Sequence, residues 1–399
     1  MKNKFFIVLL IVIISGCNVS NAANFATPTP QVPTPSPFFK FKPSPTPINT
    51  PSPIAATLTP TFPPYTGEPF SIVFTRSGNL WIASMGETVT ERQLTFEPPE
   101  MRVISFDVSP DETRIAYVPY QLEPLNSLVK VVDITTGESK VILGENDPFS
   151  EVRVVWIDDT RIAYKNQDSL ASSFVTKRVR NVTKYIVYDL ARKTQVQVTG
   201  YDALAPSPNK QVWLGCFAGA EGCGRYALQY AGSSTQYRLE RTMQLGWFLD
   251  WSADSQYLLF NTVSSPDVCV SQLILIDIKT LEEKAITPKE ESVWSGSFSP
   301  VGNLLVYEQA QIANLGLCQS GKLDYWLLDL DTQQPYKIPV EFQKDVWGFD
   351  WTPNGKRLLF FHDSYSGREH QLWSMNLDGS DLKPILVNVE EFQVLSKVP

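Results

Sequence analysis

Short apolar runs alternate with polar turns along most of the chain, a pattern typical of β-strands joined by tight turns. The clearest stretch is 345–387, where we assign four strands: Trp347–Trp351, Arg357–Phe361, Gln371–Met375 and Lys383–Val387. A Thr-Pro-Asn-Gly turn separates the first two strands and an Asp-Gly-Ser turn the last two. Pro presets φ for a turn, and Asp, Asn and Gly tolerate its remaining conformations. The stretch therefore predicts a four-stranded antiparallel unit.

The same unit recurs along the chain in two halves. The first half is a strand, a Ser-Pro-Asp-Gly-like turn and a second strand, found at 106–118, 155–165, 205–214, 250–260, 297–307 and 350–361. The second half ends a strand near Asp-Leu or Asp-Ile and adds a polar turn and a last strand, found at 79–95, 129–143, 185–199, 226–239, 273–287, 325–338 and 372–386. One such unit cannot bury two apolar faces alone, so the units stack radially. The repeats predict an all-β fold, a β-propeller.

The two ends of the repeat region complement each other. At its start, Pro69–Phe74 and Leu80–Thr95 supply three strands without an innermost one. At its end, Glu391–Lys397 forms an apolar strand without a partner. Pairing the two completes the first blade and closes the ring. We therefore predict a seven-bladed propeller of four-stranded antiparallel blades over 67–399, with about 47 residues per blade.

The repeats also carry a family resemblance. The segments SPDETRIAY, WSADSQYLLF, FSPVGNLLVY and WTPNGKRLLFF, each followed by an Asp-Leu type of hairpin, resemble the WD40-like (TolB-type) propeller repeat. The resemblance covers nearly all of 69–399 and implies a propeller that binds a protein or ligand. Two blades depart from it: Ile157-Asp-Asp replaces Ser-Pro-Asp in the third, and the fourth lacks the usual aromatic residue before Ser207.

The repeat is also similar to the propellers of prolyl-oligopeptidase and tricorn-type peptidases. Those enzymes carry a separate hydrolase domain with a nucleophile elbow, whereas the present sequence contains no GxSxG motif. The SxDxGxxW boxes of sialidase-type propellers are missing as well. The absence of both motifs from this sequence favours a non-catalytic protein.

The N-terminus has the pattern of a secretory leader. Lys2 and Lys4 precede the apolar run Phe5–Ile14, which at about ten residues is too short to span a bilayer. The run ends Ile14-Ser15-Gly16-Cys17, which resembles a bacterial lipobox. The resemblance implies a signal peptide at 1–16 and a diacylglycerol on Cys17 that anchors the protein to a bacterial membrane. The alternative is an ordinary signal peptide with an incidental cysteine.

A linker at 17–66 separates this cysteine from the repeats. Residues 24–66 contain 13 of the 30 prolines, interleaved with Thr and Ser. Proline removes backbone donors and fixes φ, so we expect an extended spacer that reaches up to ~130 Å. A passive stalk is the favoured reading, and a cell-wall-spanning or O-glycosylated stalk is the alternative.

Composition narrows the possible partners. The apolar fraction of 43% and aromatic fraction of 12% are ample for a packed core. The net charge is −8, or about −10 once Lys2 and Lys4 are removed with the leader. An acidic surface repels phosphate backbones, so we expect no nucleic-acid partner.

Cysteine usage fits an exported protein. If Cys17 carries lipid, the other four cysteines form an even set in a disulfide-permissive compartment. Cys216 and Cys223 flank one hairpin loop, and Cys269 and Cys318 lie in corresponding loops of neighbouring repeats, so we predict these two disulfides. Metal binding is the alternative, but the spacing lacks CxxC pairs and there are only 2 His. We expect no metal and no cofactor.

Three tryptophans occupy equivalent positions in consecutive repeats. Trp247, Trp294 and Trp347 each lie four residues before the aromatic residue that precedes the first turn. The register places them at the start of the innermost strands, near one mouth of the channel, where they can bind a sugar or a peptide. Ordinary packing between blades is the alternative.

Acidic residues and histidines provide weaker candidates. Asp107, Asp250 and Asp350 share a register and can either ring the channel as a cation site or serve as hydrogen-bonded structural residues. His362 and His370 occupy the loop of the last blade, next to Asp363 and Glu369, so an acid–base pair is conceivable. Exposed loop histidines are the simpler interpretation.

The loops between second and third strands are long, at 118–127, 165–184, 261–271, 308–322 and 362–370. In a propeller they emerge on the face of the inter-blade connections, opposite the Ser-Pro-Asp-Gly turns. We expect function on this long-loop face. The sequence thus predicts an extracytoplasmic, lipid-anchored, non-catalytic lipoprotein that binds a protein or an envelope ligand. The alternatives are a solute- or glycan-capture lipoprotein and a small hydrolase or lyase that uses His362, Asp363 or the aspartates.

Overall fold

The computed structural model describes residues 67–121, 126–143, 153–166, 184–199, 203–219, 222–230, 236–239, 245–262, 270–288, 292–314, 319–342, 346–362 and 370–396. The predicted signal peptide, the linker and Cys17 lie outside these ranges, as do Cys269, Cys318 and Asp363. Within the ranges, the chain forms strands and turns only, and it has no helix that is long and apolar enough to span a bilayer.

The strands follow the predicted order of apolar runs and turns closely. They are β1 (Phe70–Arg76), β2 (Asn79–Met85), β3 (Thr90–Gln93), β4 (Arg102–Val108), β5 (Arg114–Gln121), β6 (Asn126–Ser127), β7 (Val129–Asp133), β8 (Ser139–Leu143), β9 (Val154–Trp156), β10 (Arg161–Asn166), β11 (Lys184–Asp189), β12 (Thr194–Thr199), β13 (Ala203–Pro206), β14 (Val212–Gly219), β15 (Gly222–Tyr230), β16 (Gln236–Arg238), β17 (Leu245–Trp251), β18 (Tyr257–Thr262), β19 (Leu273–Asp277), β20 (Glu283–Ala285), β21 (Ser292–Phe298), β22 (Leu304–Asn314), β23 (Gln319–Asp329), β24 (Gln334–Lys337), β25 (Val346–Trp351), β26 (Arg357–His362), β27 (His370–Asn376), β28 (Lys383–Val389) and β29 (Glu391–Leu395).

These strands form seven antiparallel blades, which confirms the predicted β-propeller. Blade 2 has the order β4-β5-β7-β8, with β6 paired to β5, and blades 3 to 7 each take the next four strands in sequence. The first strand of each of these blades is innermost. Blade 4, which lacks the usual aromatic residue before Ser207, nevertheless has its inner strand, β13.

Blade 1 is assembled from both ends of the propeller. Its order is β29-β1-β2-β3, and β29 pairs antiparallel with β1 from Ser71 opposite Leu395 to Thr75 opposite Glu391. The C-terminal strand therefore closes the ring, as the sequence predicts.

The strands are apolar on both sides because each blade packs against two neighbours. Val73 and Phe74 are adjacent in β1 and both fully buried. Val73 packs in a cluster with blade 2 residues such as Ile115, whereas Phe74 packs with blade 7 residues such as Leu359. A strand buried on both faces has no polar side to show, so it reads as a continuous apolar run.

The first turns of blades 2, 4, 5 and 7 repeat one hydrogen-bond pattern. In blade 2 the Ser109 hydroxyl donates to Asp111 (2.6 Å) and accepts the amide N–H of Arg114 (2.9 Å). The equivalent hydroxyls that accept a backbone N–H five residues on are those of Ser207, Ser252 and Thr352. These side chains satisfy backbone groups that the turn leaves without a strand partner.

The predicted long loops are partly wrong. The hairpin predicted as a loop at 308–322 continues as paired strands β22 and β23, which leave only 315–318 between them. β5 likewise extends to Gln121 and pairs with β6. The sequences of these segments are too polar to be recognised as buried strands. Outside the packed core of a blade, strands can pair through their backbones without an apolar pattern.

Candidate functional site

The innermost strands surround the channel, and four of them are bulged at the same level. The pairing register shifts between Val103 and Ser105 in blade 2 and between Val293 and Ser295 in blade 6. It also shifts between residues 245 and 248 in blade 5 and between 347 and 350 in blade 7. A β-bulge bends the strand and changes the direction of its side chains, and bulges often adjoin binding sites.

The three predicted tryptophans lie at these bulges. Trp247 and Trp294 fall inside the register shifts and Trp347 at the edge of one, in three consecutive blades. Their backbones are described, and their side chains lie outside the described atoms. The equivalent residue of blade 2 is Ile104, whose side chain is 37% exposed. The backbone positions of the three tryptophans lie at one level of the inner strands, and the rim and its ligand both remain predictions.

Two of the three predicted aspartates connect neighbouring blades. The Asp107 carboxylate accepts the backbone N–H of Trp156 (2.6 Å), and the Asp250 carboxylate accepts that of Phe298 (2.8 Å). The indole N–H of Trp156 donates in the same direction, to the backbone carbonyl of Asp107 (3.0 Å). These aspartates have a structural role, which was the simpler of the two interpretations.

Asp350 differs from the other two. One of its oxygens accepts the N–H of the next residue, Trp351 (2.7 Å), and no bond from its carboxylate to another blade exists among the described residues. Burial raises the pKa of Asp107 and of Asp250 to about 6 and that of Asp350 to about 7. The nearby Asp250 charge contributes to the rise at Asp350.

A cavity of about 910 Å³ lies in the channel between blades 5, 6, 7 and 1. Its lining includes Asp250, Asp350 and Glu391 together with the aromatic residues Phe349 and Phe392. Sequence reasoning missed Glu391, although it occupies in β29 the register that the tryptophans occupy in their strands. It also missed Ser297, which stands in blade 6 where three other blades have Asp.

Blade 6 contains a buried carboxyl. Glu308 in β22 is 8% exposed, and its Oε1 has no hydrogen-bond partner. Burial raises its pKa to about 7, against a smaller opposing effect of its hydrogen bond with Ser295. The sequence signal for this group was the single Glu that directly follows the apolar run Leu304–Tyr307.

The histidines are not in an exposed loop, so that interpretation is wrong. His362 ends β26, half-buried, with its ring 4.6 Å from that of Trp373. His370 begins β27 and is buried, with its ring 5.6 Å from that of Phe361. The strands extend further than their apolar runs because aromatic packing continues to their ends. Asp363 lies outside the described residues, so the acid–base hypothesis stays untested.

The cysteine predictions also remain predictions. Cys216 lies in β14 opposite Tyr226, and Cys223 lies in β15 opposite Ala218, with side chains outside the described atoms. Among the side chains that the structure describes, no three of His, Cys, Asp or Glu are placed to hold one metal ion.

Comparisons with known proteins show the fold. No protein-family model matches the chain, and no curated protein sequence is similar to it. The chain is similar to oligogalacturonate lyase from Vibrio parahaemolyticus, with a TM-score of 0.58 and 16% identity over 75% of this chain and 83% of that one. It is also similar to a prolyl endopeptidase, with a TM-score of 0.57 and 13% identity over 82% of this chain. The match covers 50% of that peptidase, so the present chain spans about half its length.

A third similar structure is the propeller domain of the Trilobed protease from Pyrococcus furiosus, with a TM-score of 0.51 and 12% identity over 80% of this chain and 98% of that one. That domain is described as having an open velcro topology, whereas β29 pairs with β1 here. Enzymes are among these proteins, and at such identities the likeness extends to the β-propeller fold alone. The TolB-type resemblance therefore rests on the repeat motifs of the sequence.

Proposed function

We propose that the protein is a non-catalytic binding module, lipid-anchored through Cys17 on the extracytoplasmic side of a bacterial membrane. It binds a protein or an envelope ligand through its long-loop face. The observation that supports this best is the bulge shared by the inner strands of blades 5, 6 and 7, which carries the three tryptophan positions.

The position of the bulges supports a rim at the long-loop end of the channel. Inner strands begin on the face of the inter-blade connections, and the three tryptophan positions lie in their first halves. The exposure of Ile104 in blade 2 indicates that this position lies outside the packing between blades. Indole rings supply large, rigid contact surfaces, and aromatic residues are enriched where proteins bind peptides and sugars.

The anchor and the linker fit the same role. Two or more acyl chains hold a protein stably at a membrane. A proline-rich spacer that reaches up to ~130 Å lets the propeller search for a partner away from the bilayer while remaining tethered.

The test is a pull-down with the full-length chain as bait from detergent-solubilised envelope, analysed by mass spectrometry. We expect one enriched envelope component that is lost when Trp247, Trp294 and Trp347 are all changed to Ala. The matched control changes Tyr237 and Tyr336, exposed aromatics on outer strands, to Ala and keeps the partner. No enrichment, or equal loss in both variants, contradicts the proposal. Quenching of tryptophan fluorescence by free sugars would indicate solute capture instead.

A further inference from the structure

The outermost strand of each blade has one edge that faces away from the ring. A strand edge with free N–H and C=O groups is a template for pairing with another chain. Proteins protect such edges with charged residues, proline, bulges or a short strand. The seven outer strands are β3, β8, β12, β16, β20, β24 and β28, and all but β12 have such protection.

The protected outer strands all carry at least one charged residue, and several combine it with a second device. β16 and β20 are 3 residues long. β24 and β28 contain a proline, and the pairing of β28 shifts in register. The charged residues are Glu91 and Arg92 in β3, Lys140 in β8, Arg238 in β16, Glu283 and Lys284 in β20, Lys337 in β24 and Lys383 in β28.

β12 has none of these protections. Its 6 residues, TQVQVT, include no charged residue and no proline, and all of them pair with β11 in one unbroken register. No strand within the described ranges pairs with the outer edge of β12. The Val196 side chain on this strand is 63% exposed, although valine favours a packed strand environment. β12 is therefore the blade edge most open to an added strand.

The sequence of β12 is suited to pairing with a second copy of itself. Residues opposite each other in an antiparallel pair point to the same face of the sheet, so a two-fold axis between two identical strands must pass through a residue. An axis at Val196 places this exposed valine opposite its own copy. The flanking pairs are then Gln195 with Gln197 and Thr194 with Val198. All of these pairs are uncharged.

The charge of the molecule favours contact at this edge. The chain has a net charge of −8, so two copies repel each other except where the surfaces in contact lack like charges. Lys193 directly precedes β12, and the same register places it opposite Thr199 of the second copy rather than opposite another lysine. Two strands of this length bury less surface than the roughly 1,200–2,000 Å² of a stable interface, so the association is weak and reversible.

We propose that the outer edge of β12 binds β12 of a second copy of this chain, antiparallel and with the two-fold axis at Val196. The contact joins the third blades of two propellers into one continuous sheet. β12 lies at the outer end of its blade, away from the channel, so the inference holds whether or not the long-loop face binds a partner.

Sedimentation equilibrium of the full-length chain in a density-matched detergent measures the association. We expect a monomer–dimer equilibrium in the micromolar range, which a series from about 1 to about 100 μM covers. Val196→Lys should weaken dimerisation by roughly tenfold or more, because it places two positive charges opposite each other at the axis. The matched control is Val141→Lys on the outer strand β8, where the valine is 54% exposed, and it should leave the association unchanged. Circular dichroism confirms that both variants are folded.

Cysteine cross-linking tests the register. Val196→Cys should give a disulfide-linked dimer when oxidised with copper phenanthroline, because the two copies of this residue lie opposite each other. Thr194→Cys is the control on the same strand. Its two copies lie about 14 Å apart along the paired strands, which is beyond the reach of a disulfide, so it should not cross-link. The parent protein gives the background from its own cysteines.

Three results would overturn the proposal. The first is a parent protein that stays monomeric at every concentration, and the second is equal weakening of the dimer by Val196→Lys and Val141→Lys. The third is equal cross-linking of Val196→Cys and Thr194→Cys, which would indicate random collision. If the parent is monomeric and Val196→Lys loses its envelope partner in the pull-down, the edge binds the strand of another protein instead.

Discussion

A single register position shows how one residue type takes different roles around the ring. Asp107 and Asp250 stand two residues before the first turn of their blades, and each joins the next blade by accepting a backbone N–H. Asp350 has the same register, but its described hydrogen bond stays within its own strand. Repeat alignment identifies all three residues equally, whereas only the contacts separate the two that bridge blades from Asp350.

Asp350 should make stability depend on pH. Burial raises its folded-state pKa to about 7, against about 3.9 for an unfolded Asp. The folded state then binds the proton more tightly, so the free energy of unfolding decreases as pH rises from about 4 to about 7. Asp350→Asn removes this decrease and should be more stable than the parent protein by about 1–3 kcal/mol at pH 8 and by little near pH 4.

Urea denaturation at pH 4, 6 and 8 measures this difference. Both proteins keep the other carboxyl groups that line the same cavity, so the difference between their profiles reports Asp350; these groups are those of Glu112, Asp250, Glu390 and Glu391. Glu87→Gln, which removes an exposed carboxylate outside the cavity lining, serves as the control and should follow the parent protein at every pH. Parallel stability profiles for Asp350→Asn and the parent would contradict the prediction.

The turn between third and fourth strands explains the Asp-Leu and Asp-Ile repeat. In blade 2 the Asp133 carboxylate accepts the N–H of Thr135 (2.9 Å) and of Thr136 (2.8 Å). Ile134, which directly follows the Asp, is buried. The fourth residue after the Asp has a positive φ in four blades, at Gly137 (73°), Lys193 (53°), Leu281 (60°) and Gln333 (57°). The repeated turn therefore consists of an Asp that caps backbone N–H groups, a buried apolar residue after it, and a residue with positive φ at the fourth position.

Exchanging residues at this left-handed position should change stability in opposite directions. Gly137→Ala should lower the free energy of unfolding by about 1 kcal/mol, because an L side chain at positive φ is strained. Leu281→Gly should raise it by about 0.5–1 kcal/mol, because the strain is relieved at a site that is partly exposed. Thermal or urea unfolding of both variants provides the check, and changes of the same sign would contradict the explanation.

At the level of the whole molecule, stability depends on joining the two ends of the propeller. Leu395 in β29 is 1% exposed and packs in the cluster between blades 1 and 2 with Val73 and Leu80. Gln393 adds a bridge to blade 2, where its Oε1 accepts the N–H of Val108 (3.1 Å). The last strand thus connects the first and second blades.

Leu395→Ala should lower the free energy of unfolding by about 2–4 kcal/mol, because it leaves a cavity in the closure that relaxes only partly. Val141→Ala, on the exposed outer strand β8, is the control and should change stability by less than about 0.5 kcal/mol. Urea denaturation compares the two. A similar loss in both variants would show that closure through β29 contributes little.

The anchor can be tested on the whole protein as well. Cells that make the chain are labelled with a radioactive fatty acid, and the extract is partitioned with Triton X-114. We expect label on the parent protein and its recovery in the detergent phase. Cys17→Ser should lose the label and enter the aqueous phase, because the thioether to diacylglycerol cannot form. Label that persists in this variant would contradict lipidation at Cys17.

The amino-acid sequence alone determined the propeller, its seven blades and the closing strand. It could do so because each blade is a local repeat whose turns, from Ser109 to Asp133, are fixed by neighbouring residues, and because Glu391–Lys397 was the one predicted apolar strand without a partner. It could not show that His370 is buried, that β22 and β23 extend as a hairpin, or that Asp350 and Glu391 line one cavity. Asp350 and Glu391 belong to different blades, so only the assembled ring brings them together. The other two properties depend on pairing and packing at strand ends that carry no apolar pattern.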